Sequence, residues 1–476
     1  MTVTTIQDKA SREELQRLFE AQRAHQFQVA DASIRERKAK LKALKQAIMV
    51  TYRQEIRDAL QADMGKSQIE ADLIEIFPVI KEIKHALSNL GRWTGKHFVS
   101  TPLAFLGSRS YVEYEPKGVC LLISPWNFPI NLTFGPLVGA IAAGNTVIVK
   151  PSEFTPHCSR LMAKIIADLF PEKEITLVQG AVETSTRLLE LPFDHIFFTG
   201  SPKVGKVVMA AAARNLTSIT LELGGKSPTI VDETADIDTA ARRTASGKWI
   251  NAGQICIAPD HVFVHESRID DFNAALSRHL DNFFGGDATR SADYTEMVNR
   301  EHLERVKSYL DDSLAKGASI VYGGQINREN NRMAPTVVTN VTPDSALMQK
   351  EIFGPVLPVI PFRDLDTLLK QINAGEKPLA LYIFSKSSRN IRYIRRQTRA
   401  GTTCINHNGI HYFHPELPFG GSNNSGIGKA HGFYTFEAFS NSRAYYRQVW
   451  PTPLDLLAPP YQKWKEKVVE FTIRYL

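Results

Sequence analysis

Short apolar runs alternate with helix-length segments between residues 117 and 222, and this alternation is the strongest constraint on the fold. Val119-Cys-Leu-Leu-Ile123 is a continuous apolar run, as expected for a strand covered on both faces. The other predicted strands are Thr146 to Val149, Ile175 to Val178, His195 to Thr199 and Ile219 to Leu221. The predicted helices are Leu132 to Ala143, Ser159 to Leu169, Glu183 to Leu189 and Val204 to Ala213. Short joints between such elements predict right-handed βαβ units and a parallel sheet of the nucleotide-binding type.

A second alternating region follows Gly225, as expected for a chain of 476 residues, which is too long for one hydrophobic core. Its predicted strands are Pro228 to Val231, Val262 to Val264, a run near Val338, Ala380 to Phe384 and Thr403 to Asn406. Its predicted helices are Ile237 to Trp249 and Asp270 to Phe284. Residues 10–65 have helical periodicity with a basic face, which is typical of a solvated surface helix and less often of a membrane-binding one.

Composition excludes several classes of function. The 57 basic and 50 acidic residues leave a net charge of only +7, and no basic tract is interleaved with aromatic residues, so nucleic acid is not an expected partner. No run of eighteen apolar residues predicts a membrane span. The first nine residues, Met1 to Lys9, are polar and lack the apolar core of a signal peptide. A cytoplasmic location is therefore the default expectation.

Four cysteines, at positions 120, 158, 256 and 404, are far apart in the sequence. No C-x-x-C pair and no histidine at metal-ligand spacing accompanies them, so we expect neither a zinc site nor a disulfide framework. Cys120 and Cys404 lie in apolar runs typical of core strands. Cys158 begins a predicted helix, but no acid or base in its segment could activate it.

Cys256 is the candidate nucleophile. It lies in Asn251-Ala-Gly-Gln-Ile-Cys-Ile-Ala-Pro259, among small and amide side chains. A free thiol has a pKa of about 8.5, so a catalytic cysteine needs a lowered pKa or a nearby base. Glu222, in Leu221-Glu-Leu-Gly-Gly-Lys226, is the candidate base. Without further context, an inert buried thiol is the more common interpretation of Cys256.

These two segments resemble motifs of the aldehyde dehydrogenase superfamily, in which Glu-Leu-Gly-Gly-Lys supplies a general base and Gly-Gln-x-Cys supplies the nucleophile. Further motifs of that family occur in the family's order. They are Pro125-Trp-Asn-Phe-Pro129, Ile148-Val-Lys-Pro-Ser-Glu153, Phe198-Thr-Gly-Ser201, Glu351-Ile-Phe-Gly-Pro355 and Pro418-Phe-Gly-Gly421. The resemblance covers roughly residues 30–445. The segment from His411 to Gly421 is most similar to the class-three branch, which includes fatty and aromatic aldehyde enzymes and bacterial coniferyl aldehyde dehydrogenases.

The resemblance implies an α/β aldehyde dehydrogenase-like fold with a Rossmann-type NAD-binding domain, an α/β catalytic domain and a small β oligomerisation element. The implied boundaries are 1–105 and 117–222 for the NAD-binding domain with its helical lead-in, 223–418 for the catalytic domain, 106–116 and 436–450 for the oligomerisation strands, and 451–476 for a tail helix. The two domains are expected to meet at Cys256. A homodimer is the implied assembly.

The implied reaction oxidises an aldehyde to a carboxylic acid. Cys256 forms a thiohemiacetal and then a thioester, Asn127 and the backbone N–H of Cys256 bind the oxyanion, and Glu222 activates the hydrolytic water. The expected cofactor is NAD, with NADP possible, because a carboxylate at Glu153 would repel a 2′-phosphate. An asparagine between prolines is also a common turn residue when no family is considered.

The resemblance assigns eight residues to the cofactor: Lys150, Ser152, Glu153, Gly200, Ser201, Gly205, Glu351 and Phe353. Lys150 and Glu153 would hold the adenosine ribose, and Glu351 and Phe353 the nicotinamide half. Gly200-Ser-Pro-Lys-Val-Gly205 precedes a predicted helix, where free N–H groups favour a pyrophosphate. The G-x-G-x-x-G fingerprint is missing, and each of these segments is also an ordinary loop or turn on local grounds.

The substrate expected from the resemblance is a small-molecule aldehyde of hydrophobic character, either aromatic or aliphatic of medium to long chain. A CoA-acylating enzyme and a non-catalytic protein of the same fold are the alternatives, and the presence of Glu222 and Cys256 argues against them. A cysteine acyltransferase would not need the nucleotide-binding half. In the tail, four apolar residues share one helical face, which predicts packing on protein or contact with lipid: Trp464, Val468, Phe471 and Tyr475. The resemblance to the fatty aldehyde enzymes implies that this helix covers the substrate entrance, and packing on the enzyme's back is the alternative.

Overall fold

The computed structural model describes residues 10–475, apart from the side chains of residues 104 and 453. The polar segment Met1 to Lys9, from which no signal peptide was expected, and the last residue of the predicted tail helix lie outside the described residues.

Seventeen α-helices are present among the described residues. They are α1 Arg12–Ala30, α2 Ile34–Gln46, α3 Arg53–Met64, α4 Gln68–Ala71, α5 Phe77–Trp93, α6 Asn131–Ala143, α7 Pro156–Leu169, α8 Val182–Leu188, α9 Pro202–Ala213, α10 Ile237–Trp249, α11 Ile269–Phe284, α12 Arg300–Ala315, α13 Ala346–Gln349, α14 Leu365–Ala374, α15 Ser388–Gln397, α16 Phe433–Ala438 and α17 Lys463–Tyr475. The strands are β1 His97–Phe98, β2 Ser108–Pro116, β3 Val119–Ile123, β4 Thr146–Lys150, β5 Ile175–Leu177, β6 His195–Gly200, β7 Ser218–Leu223, β8 Pro228–Val231, β9 His261–His265, β10 Ser319–Tyr322, β11 Ile326–Asn327, β12 Arg332–Met333, β13 Thr336–Thr339, β14 Val356–Phe362, β15 Ala380–Phe384, β16 Thr402–Ile405, β17 Gly426–Ile427 and β18 Ser440–Gln448.

The helical lead-in is confirmed, but it consists of several helices rather than one. Ser33 and Glu36 form a reciprocal capping box at the start of α2. Gly65, with φ of 62°, ends α3 in the left-handed conformation that glycine adopts without strain. Two π-helical turns, Ala47–Thr51 and Asp72–Ile76, interrupt the pattern. The second of these turns contains Glu75, which reaches the active site described below.

The first alternating region forms a six-stranded sheet in the order β17-β7-β6-β3-β4-β5. Strands β3 to β7 run parallel, as predicted, and helices cover both faces, so β3 and β4 are buried throughout. The order changes direction at β3, because β4 lies on one side of it and β6 on the other. The edge strand β17 lies about 200 residues after β7 in the sequence and pairs with it antiparallel, with Gly426 opposite Glu222. The sequence did not predict this strand.

The second region forms a seven-stranded sheet in the order β10-β13-β14-β9-β8-β15-β16. All its neighbours are parallel except β10, which pairs antiparallel with β13 at the edge. The predicted strand Ala380 to Phe384 is confirmed without a shift of its ends. Helix α10 and strand β9 flank the loop that contains Cys256, as predicted.

A separate three-stranded sheet, β1-β2-β18, corresponds to the strands predicted at 106–116 and 436–450. Strands β2 and β18 pair antiparallel over nine residues each, and Tyr111 stacks on Tyr445 with ring centroids 5.1 Å apart. The prediction was wrong for residues 436–438, which end helix α16, because Phe436 packs into the hydrophobic core.

The tail helix α17 is confirmed, but the predicted cover over the substrate entrance is wrong within the single chain, as is packing on the enzyme's back. None of its residues is buried, and Phe471 remains 60% and Ile473 81% exposed. No helix among residues 10–475 is long and apolar enough to cross a membrane.

Candidate active site

Glu222 lies near the carboxyl end of β7, between β6 and β17. Its side chain is buried, and Oε1 has no hydrogen-bond partner. Burial raises the pKa of Glu222 to about 7, although His431, Thr199 and Lys429 act in the opposite direction. A carboxylate with this pKa exchanges protons readily near neutral pH, as a general base must.

The loop before Cys256 has an unusual backbone. Asn251 and Ala252 have φ of 53° and 51°, and Gly253 has φ of 74°. A Cβ on Gly253 would come within 2.4 Å of the Gly354 carbonyl oxygen, so only glycine fits there. The tight turn ends α10 and brings the thiol of Cys256 to the boundary between the two large sheets.

Cys256 is partly buried and packs against an apolar cluster that includes Tyr382, Cys404 and Phe419. Burial raises the pKa of the thiol well above its usual range, and the nearby carboxylates of Glu222 and Glu351 add to the effect. The resting thiol is therefore protonated, and its activation requires a proton acceptor. Glu222 is close enough to raise the pKa of the thiol. With its own pKa of about 7, Glu222 is ionised above neutral pH and could then accept the thiol proton.

Hydrogen bonds tie the cysteine loop to the first region. The side-chain amide of Asn251 donates to the Asn127 carbonyl at 3.0 Å, and the Asn127 amide donates to the Gln254 carbonyl at 3.0 Å. Gln254 in turn donates to the Glu296 carbonyl and accepts from the backbone N–H of Val298, both at 3.0 Å. The sequence predicted that the two regions meet at the thiol. Hydrogen bonds between amide side chains and backbone carbonyls form this contact.

Asn127 uses one of its two amide hydrogens in this network. The second hydrogen remains for an oxygen bound beside Cys256, which is what the predicted role in binding the oxyanion requires. The bond to Gln254 fixes the amide so that its nitrogen, rather than its oxygen, faces the cysteine loop.

A fully buried ion pair between Lys66 and Glu75 holds the Asn127 loop in place. Lys66 Nζ lies 2.5 Å from Oε1 of Glu75 and donates to the Asn127 carbonyl at 3.0 Å. The other oxygen of Glu75 accepts the backbone N–H groups of Ile130 and Asn131 at 3.1 and 3.0 Å. Sequence analysis missed this pair, because Lys66 and Glu75 lie in the helical lead-in and no local pattern separates them from its surface charges.

Glu70 is a second support that the sequence analysis missed. Its carboxylate accepts the backbone N–H of Asn251 at 2.5 Å and the hydroxyl of Thr295 at 2.6 Å. It therefore fixes the strained turn before Cys256. No local signal separates Glu70 from surface charges, because its neighbours Gln68 and Ile69 are exposed.

Glu351 and Phe353 come from the loop before β14, and Glu351 contacts the residues that follow the Glu222 strand. Oε1 of Glu351 accepts the Gly225 N–H at 3.0 Å, and a Cβ on Gly224 would come within 2.4 Å of the same oxygen. Burial raises the pKa of Glu351 to about 7. Phe353 has φ of 43° and packs edge-on against Trp126, with ring centroids 5.5 Å apart.

The predicted ribose-binding residues follow β4 directly. Lys150 ends that strand, is buried, and lies 3.2 Å from Oε2 of Glu153. Ser152 accepts the Phe154 N–H through its hydroxyl oxygen, which shapes the loop. Because Lys150 offsets the charge of Glu153, repulsion of a 2′-phosphate by that carboxylate is weaker than the sequence suggested.

The predicted phosphate turn follows β6. Gly200 ends the strand, Ser201 caps α9 by accepting the Val204 N–H, and Gly205 lies one turn into the helix. A Cβ on Gly205 would come within 2.7 Å of Leu223, so this glycine serves the packing of helix against strand. The sheet order reverses between β4 and β6, and the carboxyl ends at such a point form the crevice where open α/β sheets bind nucleotides.

These residues fit a dinucleotide. The crevice has a helix start that could bind phosphate, the charged pair Lys150 and Glu153 that could bind ribose, and a cluster of the Trp126, Phe353 and His302 rings. No three His, Cys, Asp or Glu side chains within residues 10–475 are grouped as metal ligands would be.

A pocket opens beside Glu222. We call it the Glu222 pocket, and it is lined by, among others, Pro78, Glu82, Leu132, Glu222, Tyr412 and His431. Tyr412 packs on the same apolar cluster as Cys256, so the pocket reaches the neighbourhood of the thiol. No residue of the tail lines it.

The fold and this site together define a class of enzyme in which a cysteine nucleophile and a buried carboxylate meet beside a nucleotide-binding sheet. Residues 2–445 match the model of the aldehyde dehydrogenase family, and the chain belongs to that family. It is an aldehyde dehydrogenase, as the sequence predicted. The family uses NAD or NADP and acts on small-molecule aldehydes.

Relatives match almost the whole chain. A 4,4′-diaponeurosporen-aldehyde dehydrogenase of Staphylococcus aureus is 43% identical over 90% of this chain and 92% of its own length. A dimeric NADP-preferring aldehyde dehydrogenase of Rattus norvegicus is 41% identical over 82% of this chain and 85% of its own.

Solved structures agree with the fold. The substrate-bound state of Staphylococcus aureus AldH superposes with a TM-score of 0.93 at 40% identity, covering 96% of this chain and 99% of that one. The NAD⁺ complex of a Bacillus cereus aldehyde dehydrogenase superposes with a TM-score of 0.84 at 27% identity, over 92% of this chain and 89% of that one. The class-three resemblance is also confirmed, because mammalian family 3 members are 39% to 40% identical to this chain.

Proposed function

We propose that this enzyme oxidises hydrophobic aldehydes, aromatic or of medium to long chain, with Cys256 as nucleophile, Asn127 as oxyanion donor and Glu222 as general base. The observation that carries the proposal is the buried, unpartnered Oε1 of Glu222 beside a protonated thiol. Of the two groups, only the carboxylate is suited to accept a proton near pH 7.

In the first step Glu222 removes the thiol proton and the sulfur of Cys256 adds to the aldehyde carbon. The carbonyl electrons move to oxygen, where the second amide hydrogen of Asn127 and the backbone N–H of Cys256 bind the resulting oxyanion. One such donor contributes about 10²–10³ in rate. NAD(P) held by the cofactor residues would supply a hydride acceptor, and loss of hydride from the thiohemiacetal on Cys256 would leave a thioester.

Hydrolysis completes the cycle. Once Glu222 has released the first proton to solvent, its carboxylate takes a proton from water, and the hydroxide adds to the thioester carbon. The C–S bond then breaks, the acid leaves, and Glu222 returns its proton to the sulfur of Cys256. The polar network of Asn251, Gln254 and Asn127 holds the cysteine loop in place throughout.

The cofactor residues would be Lys150, Ser152, Glu153, Gly200, Ser201, Gly205, Glu351 and Phe353. We infer a preference for NAD from the carboxylate of Glu153, with NADP tolerated because Lys150 lies beside it. Relatives support either cofactor, since the rat protein is named NADP-preferring and the Bacillus cereus structure contains NAD⁺.

The walls of the Glu222 pocket support a hydrophobic substrate. Pro78, Leu132, Tyr412 and Phe413 supply apolar surface, and the Staphylococcus aureus relative is named for 4,4′-diaponeurosporen-aldehyde. Coniferyl aldehyde is an aromatic candidate of the same character. A CoA-acylating reaction has no observation in its favour, because Glu222 is in place to activate water.

We further infer a homodimer, in which the long edge strand β18 pairs with its counterpart. Its backbone is paired on one side only among the described residues, and the rat relative is named as dimeric. The predicted domain boundaries and the cytoplasmic location stay predictions.

The proposal is tested by screening aldehydes with NAD and with NADP, following absorbance of the reduced nicotinamide, for the natural protein and for Cys256→Ser. We expect turnover of hydrophobic aldehydes that the substitution abolishes while NAD still binds. Retained turnover in Cys256→Ser would contradict the proposal.

A further inference from the structure

A hydrogen bond joins two walls of the Glu222 pocket that are far apart in the sequence. One wall is the start of helix α6, with Asn131 and Gly135, and the other includes Tyr412 and Phe413. The side-chain amide of Asn131 donates to the hydroxyl oxygen of Tyr412 at 2.9 Å. Because both residues line the pocket, this bond helps to set the separation of the two walls.

The Asn131 end of the bond is firmly held. Asn131 is the first residue of α6, and only 5% of its surface is exposed. Its backbone N–H donates to Oε2 of Glu75 at 3.0 Å, and Oε1 of the same carboxylate pairs with the buried Lys66. The start of α6 is therefore held by the ion pair that also holds the Asn127 loop.

The Tyr412 end depends on fewer contacts. Tyr412 lies in the short helical turn Ile410–Phe413, none of whose residues is buried. The backbone N–H of Tyr412 donates to the Gly409 carbonyl at 3.0 Å, which is a contact within the turn itself. Among the described residues, the bond to Asn131 is the only hydrogen bond that joins residues 410–413 to the chain before residue 223. The distance of the turn from α6 therefore depends on this bond.

The rest of the same wall is attached to the first region independently. Oε1 of Glu82, on α5, lies 3.0 Å from Nδ1 of His431, and Oε2 accepts the backbone N–H of Gly432 at 2.8 Å. The Tyr412 ring packs edge-on against His431, with ring centroids 4.6 Å apart. Loss of the bond to Asn131 would therefore release the Tyr412 turn without releasing the whole wall.

We propose that the hydrogen bond between Asn131 and Tyr412 sets the width of the Glu222 pocket and so selects narrow aldehydes over broad ones. The inference rests on the proposed function, which takes this pocket as the aldehyde site. Straight-chain and flat aromatic aldehydes enter with the bond intact, whereas an aldehyde branched beside its carbonyl group requires the Tyr412 turn to move away. Neither residue lies in the motifs from which the function was predicted.

Tyr412→Phe tests this directly, because it removes the hydroxyl group and keeps the ring. Pentanal and trimethylacetaldehyde are isomers that differ in width, and their difference in intrinsic reactivity cancels when variants are compared. We expect the ratio of kcat/KM for trimethylacetaldehyde to that for pentanal to rise about fivefold, which corresponds to about 1 kcal/mol, the usual net contribution of one hydrogen bond. Absorbance of NADH at saturating NAD, on full-length protein, measures both values.

A double-mutant cycle separates the bond from the shape of the wall. Asn131→Ala removes the bond and also removes atoms from the wall. In protein that already carries Tyr412→Phe, only the loss of wall atoms remains. The change in the ratio caused by Asn131→Ala should therefore be about fivefold smaller in that background, since side chains in contact have non-additive effects.

Gly135→Ala should change the ratio in the opposite direction. A Cβ on Gly135 meets only Oδ1 of Asn131, at 3.7 Å, so a methyl group fits on this wall of the pocket and narrows it. The ratio should then fall below that of the natural protein. Tyr393→Phe, which removes an exposed hydroxyl that donates to Asp366, is the matched control and should leave the ratio unchanged.

A ratio in Tyr412→Phe equal to that of the natural protein would overturn the inference. Equal losses of kcat/KM for both aldehydes would also overturn it, because they would indicate a purely structural role. Additive effects in the cycle, or a ratio that Gly135→Ala does not lower, would count against it in the same way. Failure of the proposed function would look different, because Cys256→Ser would then retain turnover of pentanal.

Discussion

Two buried carboxylates approach the thiol of Cys256 from the two regions of the molecule, and burial raises the pKa of both to about 7. Glu351 accepts a backbone N–H from Gly225 and lies against Gly224, so its carboxylate is tied to the chain. Oε1 of Glu222 is buried without a hydrogen-bond partner, and the residue lines the Glu222 pocket. Glu222 and Glu351 therefore have similar pKa values but different hydrogen-bonding environments.

The comparison shows that titration alone does not identify the base. A carboxylate held by a backbone N–H loses the charge-assisted part of that hydrogen bond when it takes a proton, and it has less freedom to turn toward water. Oε1 of Glu222 has no such bond to lose when it takes a proton, and no such bond restricts its turning toward water. We therefore assign proton transfer to Glu222 and cofactor positioning to Glu351, and the predictions below test this division.

Glu222→Gln should have the largest effect. A neutral amide cannot accept a proton from water, so steady-state turnover should fall by about 10²–10⁴-fold. Rapid-mixing absorbance at the reduced-nicotinamide band should show a burst of NADH followed by this slow phase at pH 9, where hydroxide replaces the base in forming the thiolate.

An equal fall of burst and steady state in Glu222→Gln at that pH would indicate that Glu222 acts before hydrolysis only. Glu351 would then become the candidate for the hydrolytic base, and the proposed division of roles would be wrong.

Glu351→Gln should have a smaller effect of a different kind. The amide can still accept the Gly225 N–H, so the chain stays in place, but the proposed contact of Glu351 with the nicotinamide ribose should weaken. We expect the KM for NAD to rise by about tenfold, which corresponds to about 1.4 kcal/mol, while the ratio of burst to steady state is unchanged. Titrating NAD at saturating aldehyde measures this, and a lost burst ratio would count against the assignment.

Removing the chain after Pro460 should have the smallest effect. Helix α17 buries none of its residues and does not line the Glu222 pocket, so neither carboxylate depends on it. The KM for propanal and for an aromatic aldehyde should stay within about twofold of the natural values, which is well under 1 kcal/mol. A rise in KM for the aromatic aldehyde alone would contradict this prediction. It would indicate that the tail helix of a partner subunit covers the substrate entrance.

Much of this arrangement could be predicted because it is local in sequence. The strand Val119–Ile123 is a continuous apolar run, and the motif residues Glu222, Cys256 and Glu351 lie in short segments with recognisable composition. The cysteine loop was expected between a helix and a strand and lies there.

The buried charged residues that hold the Asn127 and Cys256 loops could not be predicted, because their contacts join residues far apart along the chain. Lys66 and Glu75 reach Asn127, and Glu70 reaches Asn251, across 181 positions in the last case. The left-handed backbone at Asn251 and Ala252 depends on those contacts and leaves no mark in composition. His431 was missed because a single histidine after the last motif has many structural explanations.

The most direct test of the central claim is the pH dependence of thioester hydrolysis, measured as the steady-state rate after the burst in natural protein, Glu351→Gln and Glu222→Gln. Glu222 must be ionised to accept a proton, so the rate should rise about tenfold per pH unit up to its pKa of about 7 and level off above it. Glu351→Gln should keep this profile, and Glu222→Gln should lose it. A midpoint near 7 that persists in Glu222→Gln and vanishes in Glu351→Gln would contradict the account.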